Sequence, residues 1–235
     1  KMLYMSGGQY PMPMVFRGPN GAALQLSAQH SQAWESWLAH IPGLKVITPG
    51  TPYDAKGLIV SAIRDNGPVI YLEHKLLLNM RGEVPEEVYE IPLGVADVKR
   101  EGADLTLVAT GAMVGLSLAA AEAVAKDGAS VEVIDPRTLM PYDGDAILAS
   151  VRKTGRLLVV DEGYRYCGFA SELIAFVAEK ALEVLHQPPR QLTTRHTTIP
   201  FSPPMEEFVF PDAARIAGEI RAMLDITAQG DSSNG

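Results

Sequence analysis

Short apolar runs alternate with longer amphipathic stretches along most of the chain. In the first third, this pattern predicts strands at residues 14–16, 45–47 and 69–72 and helices at 31–39 and 53–64. Brief apolar strands separated by helical stretches are typical of parallel strands joined by crossover helices. The chain is therefore predicted to have an α/β fold with a mostly parallel sheet.

The same alternation resumes after a polar stretch at residues 74–92, which contains Gly82, Pro85, Pro92 and four glutamates. Proline and glycine in a charged segment are typical of a linker, so we expect a domain boundary here. Beyond it, the pattern predicts strands at 105–109, 131–134, 157–160 and 191–193 and helices at 114–126, 143–153, 169–185 and 212–224. We therefore predict one domain at residues 1–90, including the linker, a second at 91–228, and a disordered tail at 229–235.

Composition excludes several classes of partner. The formal net charge is -8 and the basic residues are scattered, so no basic stripe could follow a nucleic-acid backbone. The apolar runs are too short to cross a bilayer, and the single cysteine, Cys167, cannot form an intramolecular disulfide. We expect a cytoplasmic protein with neither nucleic acid nor membrane as a partner.

Familiar nucleotide and hydrolase motifs are missing from the sequence. Gly111 and Gly115 lie between a predicted strand and a helix, but they lack the Gly-x-Gly-x-x-Gly spacing of a dinucleotide site. The chain has no Gly-x-x-x-x-Gly-Lys-Ser/Thr loop, no zinc-type Cys/His spacing and no Gly-x-Ser-x-Gly elbow. Gly111 is best interpreted as a strand-to-helix turn.

Four residues with possible chemistry allow two interpretations each. His30 precedes an apolar stretch, where an imidazole could bind a carboxylate or relay a proton, although a polar helix start without chemistry fits the local pattern better. Asp54 is expected to start a helix and to lie on a solvated face. Asp161 and Glu162 end a predicted strand, which suits either a ligand site or a partner-facing loop, so neither receives a catalytic role.

Several blocks of sequence resemble, in the same order, the β subunits of thiamine-diphosphate-dependent 2-oxo acid dehydrogenases. Gln29-His30-Ser31-Gln32 is one of them. The others are residues 4–8, 16–21, 42–46, 54–58, 62–66, 135–139, 153–156, 161–162 and 197–203. Together with residues 82–87 and 211–215, these blocks are most similar to the acetoin dehydrogenase branch, with the pyruvate and branched-chain 2-oxo acid branches as close alternatives.

The resemblance implies a fold, a cofactor and partners. Residues 1–90 would be the second half of a transketolase-like pyrimidine-binding domain, and the rest a transketolase C-terminal-type α/β domain. Thiamine diphosphate would be shared with an α subunit that holds the magnesium, in an α2β2 assembly. The implied reaction cleaves acetoin, or decarboxylates a 2-oxo acid such as pyruvate, and passes the acyl unit to the lipoyl group of an acyltransferase core.

The resemblance also implies two sites. His30 matches the family's active-site histidine, which makes it the leading catalytic candidate. A monovalent cation, with potassium as the implied ion, would be bound mainly by the backbone carbonyls of Met14, Ala62, Ile63, Asp65 and Gly67.

The resemblance leaves no counterpart before Lys1 for the family's activating glutamate and ring-stacking residues. We therefore expect the chain to begin inside a longer gene product and to be inactive alone. An assembly module that serves subunit association and docking to the core is the alternative. A sugar-phosphate carboligase is less favoured, because no cluster of basic residues stands out.

Overall fold

The computed structural model describes residues 1–22 and 24–226, and the predicted tail at 229–235 lies outside them. The first of two sheets contains β1 (Val15–Asn20), β2 (Lys45–Ile47), β3 (Val69–His74) and β7 (Thr138–Met140), in the order β1-β3-β2-β7. The first three are parallel, and β7 is antiparallel to β2. Helices α1 (Met2–Met5), α2 (Glu35–Ala39) and α3 (Pro52–Arg64) belong to this part of the chain.

The second sheet has five strands, in the order β4-β6-β5-β8-β9. They are β4 (Asp97–Arg100), β5 (Leu105–Ala109), β6 (Val131–Asp135), β8 (Leu157–Tyr164) and β9 (Arg190–Thr194), and β4 is the one antiparallel member. The helices of this part are α4 (Ala112–Ala125), α5 (Gly144–Thr154), α6 (Phe169–Ala181), α7 (Pro203–Val209) and α8 (Ala213–Leu224). The predicted α/β class with mostly parallel sheets is confirmed.

Apolar packing joins the two sheets into one body. On one face of the second sheet, α4 and α8 cover β5, which is buried throughout. On the other face, α5 and α6 pack against residues that come from both sheets, including Val46 and Ile70 of the first sheet and Leu139 of β7. Since fully burying such a side chain contributes about 1.5–3 kcal/mol, this shared core holds the two sheets together strongly.

The segment at 74–92 lies along α3 rather than away from the protein. Its Tyr89 ring stacks on Tyr53 with 4.7 Å between ring centroids, and Ile91 is buried against the first sheet. The Lys56 ammonium binds the carbonyl oxygens of Pro85 and Glu86. The segment is therefore irregular in structure but well anchored.

Several elements differ from the sequence-based expectation. The helix predicted at 31–39 is shorter, beginning at Glu35 after a 3-10 turn at Ser27–Gln29. The helix predicted at 169–185 ends at Ala181 and continues as a 3-10 turn, Leu182–Val184. Strands β4 and β7 and the short helices α1 and α7 were not predicted. Within the described residues, the helices are too short or too polar for any of them to span a bilayer.

Candidate functional site

Strands from both sheets bring their carboxyl ends to one place, where polar side chains meet. β1 ends at Asn20, β3 ends at His74, and β8 carries Asp161 and Glu162 near its end. Ligands of α/β proteins collect at the carboxyl ends of parallel strands, which makes this the first place to look for a site. We call the buried group formed by Asn20, Glu35, His74, Asp161 and Glu162 the carboxylate cluster.

Asn20 connects β1 to the start of α2. Its side-chain amide donates a hydrogen bond to Glu35 Oε1, and its Oδ1 accepts one from the Trp34 backbone N–H at 2.9 Å. Among the described residues, neither Glu35 Oε2 nor the neighbouring Ser31 hydroxyl has a hydrogen-bond partner. Complete burial, with a further contribution from Asp161, raises the pKa of Glu35 to about 8. Glu35 is therefore largely protonated at neutral pH.

His74 and Glu162 form a hydrogen bond between the two sheets. His74 Nδ1 accepts the Leu76 backbone N–H at 3.2 Å, so the proton of the neutral ring lies on Nε2 and is donated to Glu162 Oε2. Glu162 Oε1 accepts the Ala22 backbone N–H at 2.5 Å. Asp161 hydrogen-bonds Gly163 and Ala170 of its own segment, and burial raises its pKa.

His30 is exposed on the loop between β1 and α2, of which residues 21–22 and 24–32 are described and which we call the His30 loop. The Gly21 N–H and the Gln32 carbonyl close the loop with a 3.0 Å hydrogen bond. The Lys75 ammonium binds the carbonyl oxygens of Gly21 and His30, the latter at 2.6 Å. The His30 imidazole is thus presented to solvent on a loop whose backbone is held in place.

An apolar cavity of about 550 Å³ opens next to the His30 loop. Its walls come from the loop, from α4 and from the segment around α7, and they include Leu24, Leu76, Met113, Phe210 and Glu162. His30 itself is not part of the cavity wall, to which the loop contributes Ala22, Leu24 and Gln25.

A second polar group joins the sheets at the amino-terminal end of α3. We call the residues Asp54, Asp97, Lys99, Asp135 and Arg137 the ion-pair cluster. Asp54 Oδ2 accepts a hydrogen bond from Lys99 Nζ at 2.6 Å, and its Oδ1 forms an ion pair with Arg137 Nε at 2.8 Å that lacks hydrogen-bond geometry, while Asp97 pairs with the same two cations. The expectation that Asp54 lies on a solvated face was wrong, because β4 and Arg137 cover the helix start and the side chain is fully buried.

The residues predicted to bind a monovalent cation surround one turn after α3. The Met14 carbonyl accepts the Val69 N–H, the Ala62 carbonyl accepts the Asp65 N–H, and the Gly67 N–H binds Asp65 Oδ1 at 2.7 Å. The Ile63 side chain is exposed. Each carbonyl retains a lone pair, so these oxygens could still act as ligands, although Lys45 already pairs with Asp65. Among the described residues, no three His, Cys, Asp or Glu side chains form a metal site.

Sequence reasoning identified some of these residues and missed others. His30 was predicted from the resemblance, and Asp161 and Glu162 were noted only as strand-end acids. Glu35 and His74 were missed as members of a site. The available signal for Glu35 was an acid between Trp34 and Trp37, in a segment that is otherwise apolar.

Comparison with known families gives two matches that together span most of the chain. Residues 1–81 match the transketolase pyrimidine-binding domain and residues 94–216 the transketolase C-terminal domain. A structural relative is a split-gene transketolase, described as an inactive β4 tetramer. It has a TM-score of 0.77 and 20% identity, with 92% of this chain and 68% of that one covered, which supports the fold alone.

Sequence relatives at higher identity come from bacterial dehydrogenases. The β subunit of acetoin:2,6-dichlorophenolindophenol oxidoreductase from Cupriavidus necator is 47% identical over 95% of this chain. The pyruvate dehydrogenase E1 component β subunit from Bacillus subtilis is 48% identical over 86% of this chain. The chain spans 66% of the first relative's length and 62% of the second's.

Proposed function

This chain belongs to the transketolase-like family that includes the β subunits of acetoin and pyruvate dehydrogenases, and from this premise we propose that it is such a β subunit. The proposed activity is cleavage of acetoin, or decarboxylation of a 2-oxo acid such as pyruvate, with transfer of the acyl group to a lipoyl carrier. The observation that carries the proposal is the exposed His30 on an anchored loop whose first residues line a largely apolar cavity at the carboxyl ends of strands from both sheets.

Thiamine diphosphate would supply the electron sink for breaking the carbon–carbon bond. The part played by this chain is to hold His30 next to the reacting carbonyl, where a neutral imidazole can accept a proton and return it. The Lys75 contact with the His30 carbonyl limits the movement of the loop. Exclusion of water from the exposed imidazole would require the partner subunit to cover it.

The proposal includes partners that would complete the site. An α subunit would hold the magnesium and the diphosphate in an α2β2 assembly, and a lipoyl-bearing acyltransferase core would receive the acyl group. The two domains are assigned to residues 1–90 and 91–228. A cytoplasmic location is part of the proposal and rests on the lone, exposed Cys167.

A potassium ion is proposed at the turn after α3, held by the carbonyl oxygens of Met14, Ala62, Ile63, Asp65 and Gly67. This site would stabilise the loop between α3 and β3. The melting temperature should be higher in potassium chloride than in tetramethylammonium chloride at equal ionic strength, since a ligand that binds only the folded state stabilises it. Equal melting temperatures in the two salts would remove the site from the proposal.

The test of function is reconstitution of the full-length subunit with its α subunit. We expect thiamine-diphosphate-dependent reduction of 2,6-dichlorophenolindophenol with acetoin or pyruvate, and a comparison of kcat/KM for the two would identify the substrate. His30→Ala should lower kcat by about 10²–10⁴-fold, the usual contribution of a positioned acid–base group. His186→Ala, at an exposed histidine outside the cluster, is the control and should leave kcat unchanged.

Two outcomes would contradict the proposal. A His30→Ala enzyme that retains wild-type kcat would remove the catalytic role of this residue. A full-length β subunit that assembles with its α subunit, yet shows no cofactor-dependent turnover of either substrate, would favour the assembly-module alternative.

A further inference from the structure

We propose that Glu162 is a positioning residue that acts on His30 from the second sheet. The inference deepens the proposed function and rests on it, because it assigns a role to Glu162 in the reaction attributed to His30. No contact links the Glu162 carboxylate to the His30 imidazole; its contacts are with the first residues of the His30 loop and with His74. Any effect on chemistry must therefore pass through the loop.

The Glu162 carboxylate holds the start of the loop with both oxygens. Oε1 accepts the Ala22 N–H at 2.5 Å, and Oε2 accepts the proton of His74 Nε2. Both side chains are more than nine-tenths buried, so these bonds are protected from competition by water. Glu162 thus connects the ends of β8 and β3 to the loop between β1 and α2.

The backbone of Gly21 lies very close to the side chains of His74 and Glu162. It has a φ of +76°, and a Cβ built on it would lie 2.3 Å from His74 Nε2 and 2.8 Å from Glu162 Oε1. Only glycine adopts this conformation without strain while leaving room for the two side chains. The backbone at this point is therefore shaped to accept the pair formed by Glu162 and His74.

Lys75 carries the restraint from this pair to His30. It directly follows His74, and its ammonium binds the carbonyl oxygens of Gly21 and His30. Loss of the Glu162–His74 bond would free the His74 ring and the residue that follows it, and with them the anchor of the His30 backbone. Asp161, one position earlier, instead accepts the backbone N–H groups of Gly163 and Ala170.

The experiment replaces Glu162 in the full-length subunit assembled with its α subunit. Glu162→Gln keeps the size of the side chain but replaces one carboxylate oxygen by an NH2 group. Either the Ala22 N–H or the His74 Nε2–H then faces a donor instead of an acceptor. We expect kcat to fall by roughly 10–100-fold with KM changed less than about threefold, since misplacement of a catalytic group by about 1 Å costs up to 10²-fold. Glu172→Gln, at an exposed acid on α6, is the matched control and should retain full activity.

A double substitution separates positioning from general damage to the fold. In the His30→Ala background, Glu162→Gln should cause no further loss of kcat, because the residue through which it acts is gone. A residue that merely supports the fold would lower kcat by the same factor in both backgrounds. That result, or wild-type kcat in Glu162→Gln alone, would overturn the inference.

A second measurement does not depend on turnover. Hydrogen exchange of the Ala22 amide should be faster in Glu162→Gln than in Glu172→Gln, and the His30 ring signals should shift in the first variant only. If the wild-type assembly proves inactive while these signals respond as expected, the proposed function fails and the coupling of Glu162 to the loop stands. If turnover is present but the His30 signals do not respond, the positioning role fails alone.

Discussion

The carboxylate cluster and the ion-pair cluster both bury charged groups between the two sheets, but they balance charge in opposite ways. In the ion-pair cluster, Lys99 and Arg137 each contact both Asp54 and Asp97, whereas the third carboxylate, Asp135, makes no ion pair among the described residues and has its pKa raised to about 7 by burial. In the carboxylate cluster, Glu35, Asp161 and Glu162 lie together with a histidine that is interpreted as neutral. The nearby Lys75 ammonium binds carbonyl oxygens instead.

This difference separates a structural joint from a site prepared for chemistry. Paired charges in the ion-pair cluster fix the start of α3 against β4, and Asp135 beside them is the member whose pKa burial raises, to about 7. Burial of the acids in the carboxylate cluster lowers the stability of the folded protein, because it raises the pKa of Glu35 to about 8 and also raises the pKa of Asp161. Perturbed pKa values concentrated beside an exposed histidine are typical of functional sites. The two clusters should therefore respond differently to substitution and to pH.

The largest effect is expected from breaking the ion-pair cluster at its centre. Asp54→Asn leaves Arg137 and Lys99 without their fully buried partner, so the free energy of unfolding should fall by about 3–5 kcal/mol. Asp97→Asn removes a carboxylate that contacts the same two cations but is one-third exposed, and it should cost about 1 kcal/mol. Urea denaturation of both variants measures the difference. Equal losses would mean that burial does not set the strength of this cluster.

The carboxylate cluster should give a pH effect that substitution of Glu35 separates from the effect of Asp135 in the ion-pair cluster. Between pH 4.5, the ordinary pKa of a glutamate, and about pH 8, Glu35 is protonated in the folded protein but ionised in the unfolded chain. The contribution of this group is present at low pH and is lost as pH rises through that window, on the order of 1 kcal/mol per pH unit.

Glu35→Gln tests this effect because a glutamine resembles the protonated acid and does not titrate. Its free energy of unfolding, relative to the wild type, should rise by roughly 2 kcal/mol between pH 5.5 and 7.5. Asp135, whose pKa burial raises to about 7, is present in both proteins and cancels in the comparison. A constant difference across this range would show that Glu35 is ionised in the fold.

The sequence predicted the parallel architecture because the buried strands carry nearly continuous apolar runs. β2 and β5 lie at the predicted residues, since Lys45–Ile47 and Leu105–Ala109 contrast clearly with their flanks. β4, with the sequence Asp-Val-Lys-Arg, is a charged edge strand without such contrast. β7 pairs with β2, some 90 residues earlier in the chain, and no local sequence pattern predicts such a long-range pairing.

The site was less predictable, because burial of its charges arises from long-range packing. Asp54 has the position of an ordinary helix-start acid, and only the approach of Lys99 and Arg137 removes it from solvent. Glu162 likewise gains its contacts from Ala22 and His74, far away in the chain. His30 came from the resemblance, since its local pattern favoured a residue without chemistry.

The smallest expected effect concerns a neutral link at the edge of the carboxylate cluster. Ser36, next to Glu35, accepts the Phe169 N–H at the start of α6 with its hydroxyl oxygen at 2.9 Å. Ser36→Ala leaves that N–H without its partner and should lower the free energy of unfolding by about 1 kcal/mol. Because a hydroxyl does not titrate, the loss should be the same at pH 5.5 and 7.5, in contrast to Glu35→Gln. A pH-dependent loss would instead mean that the Ser36 hydrogen bond depends on the protonation of Glu35. The two residues would then have to be treated as one hydrogen-bond network.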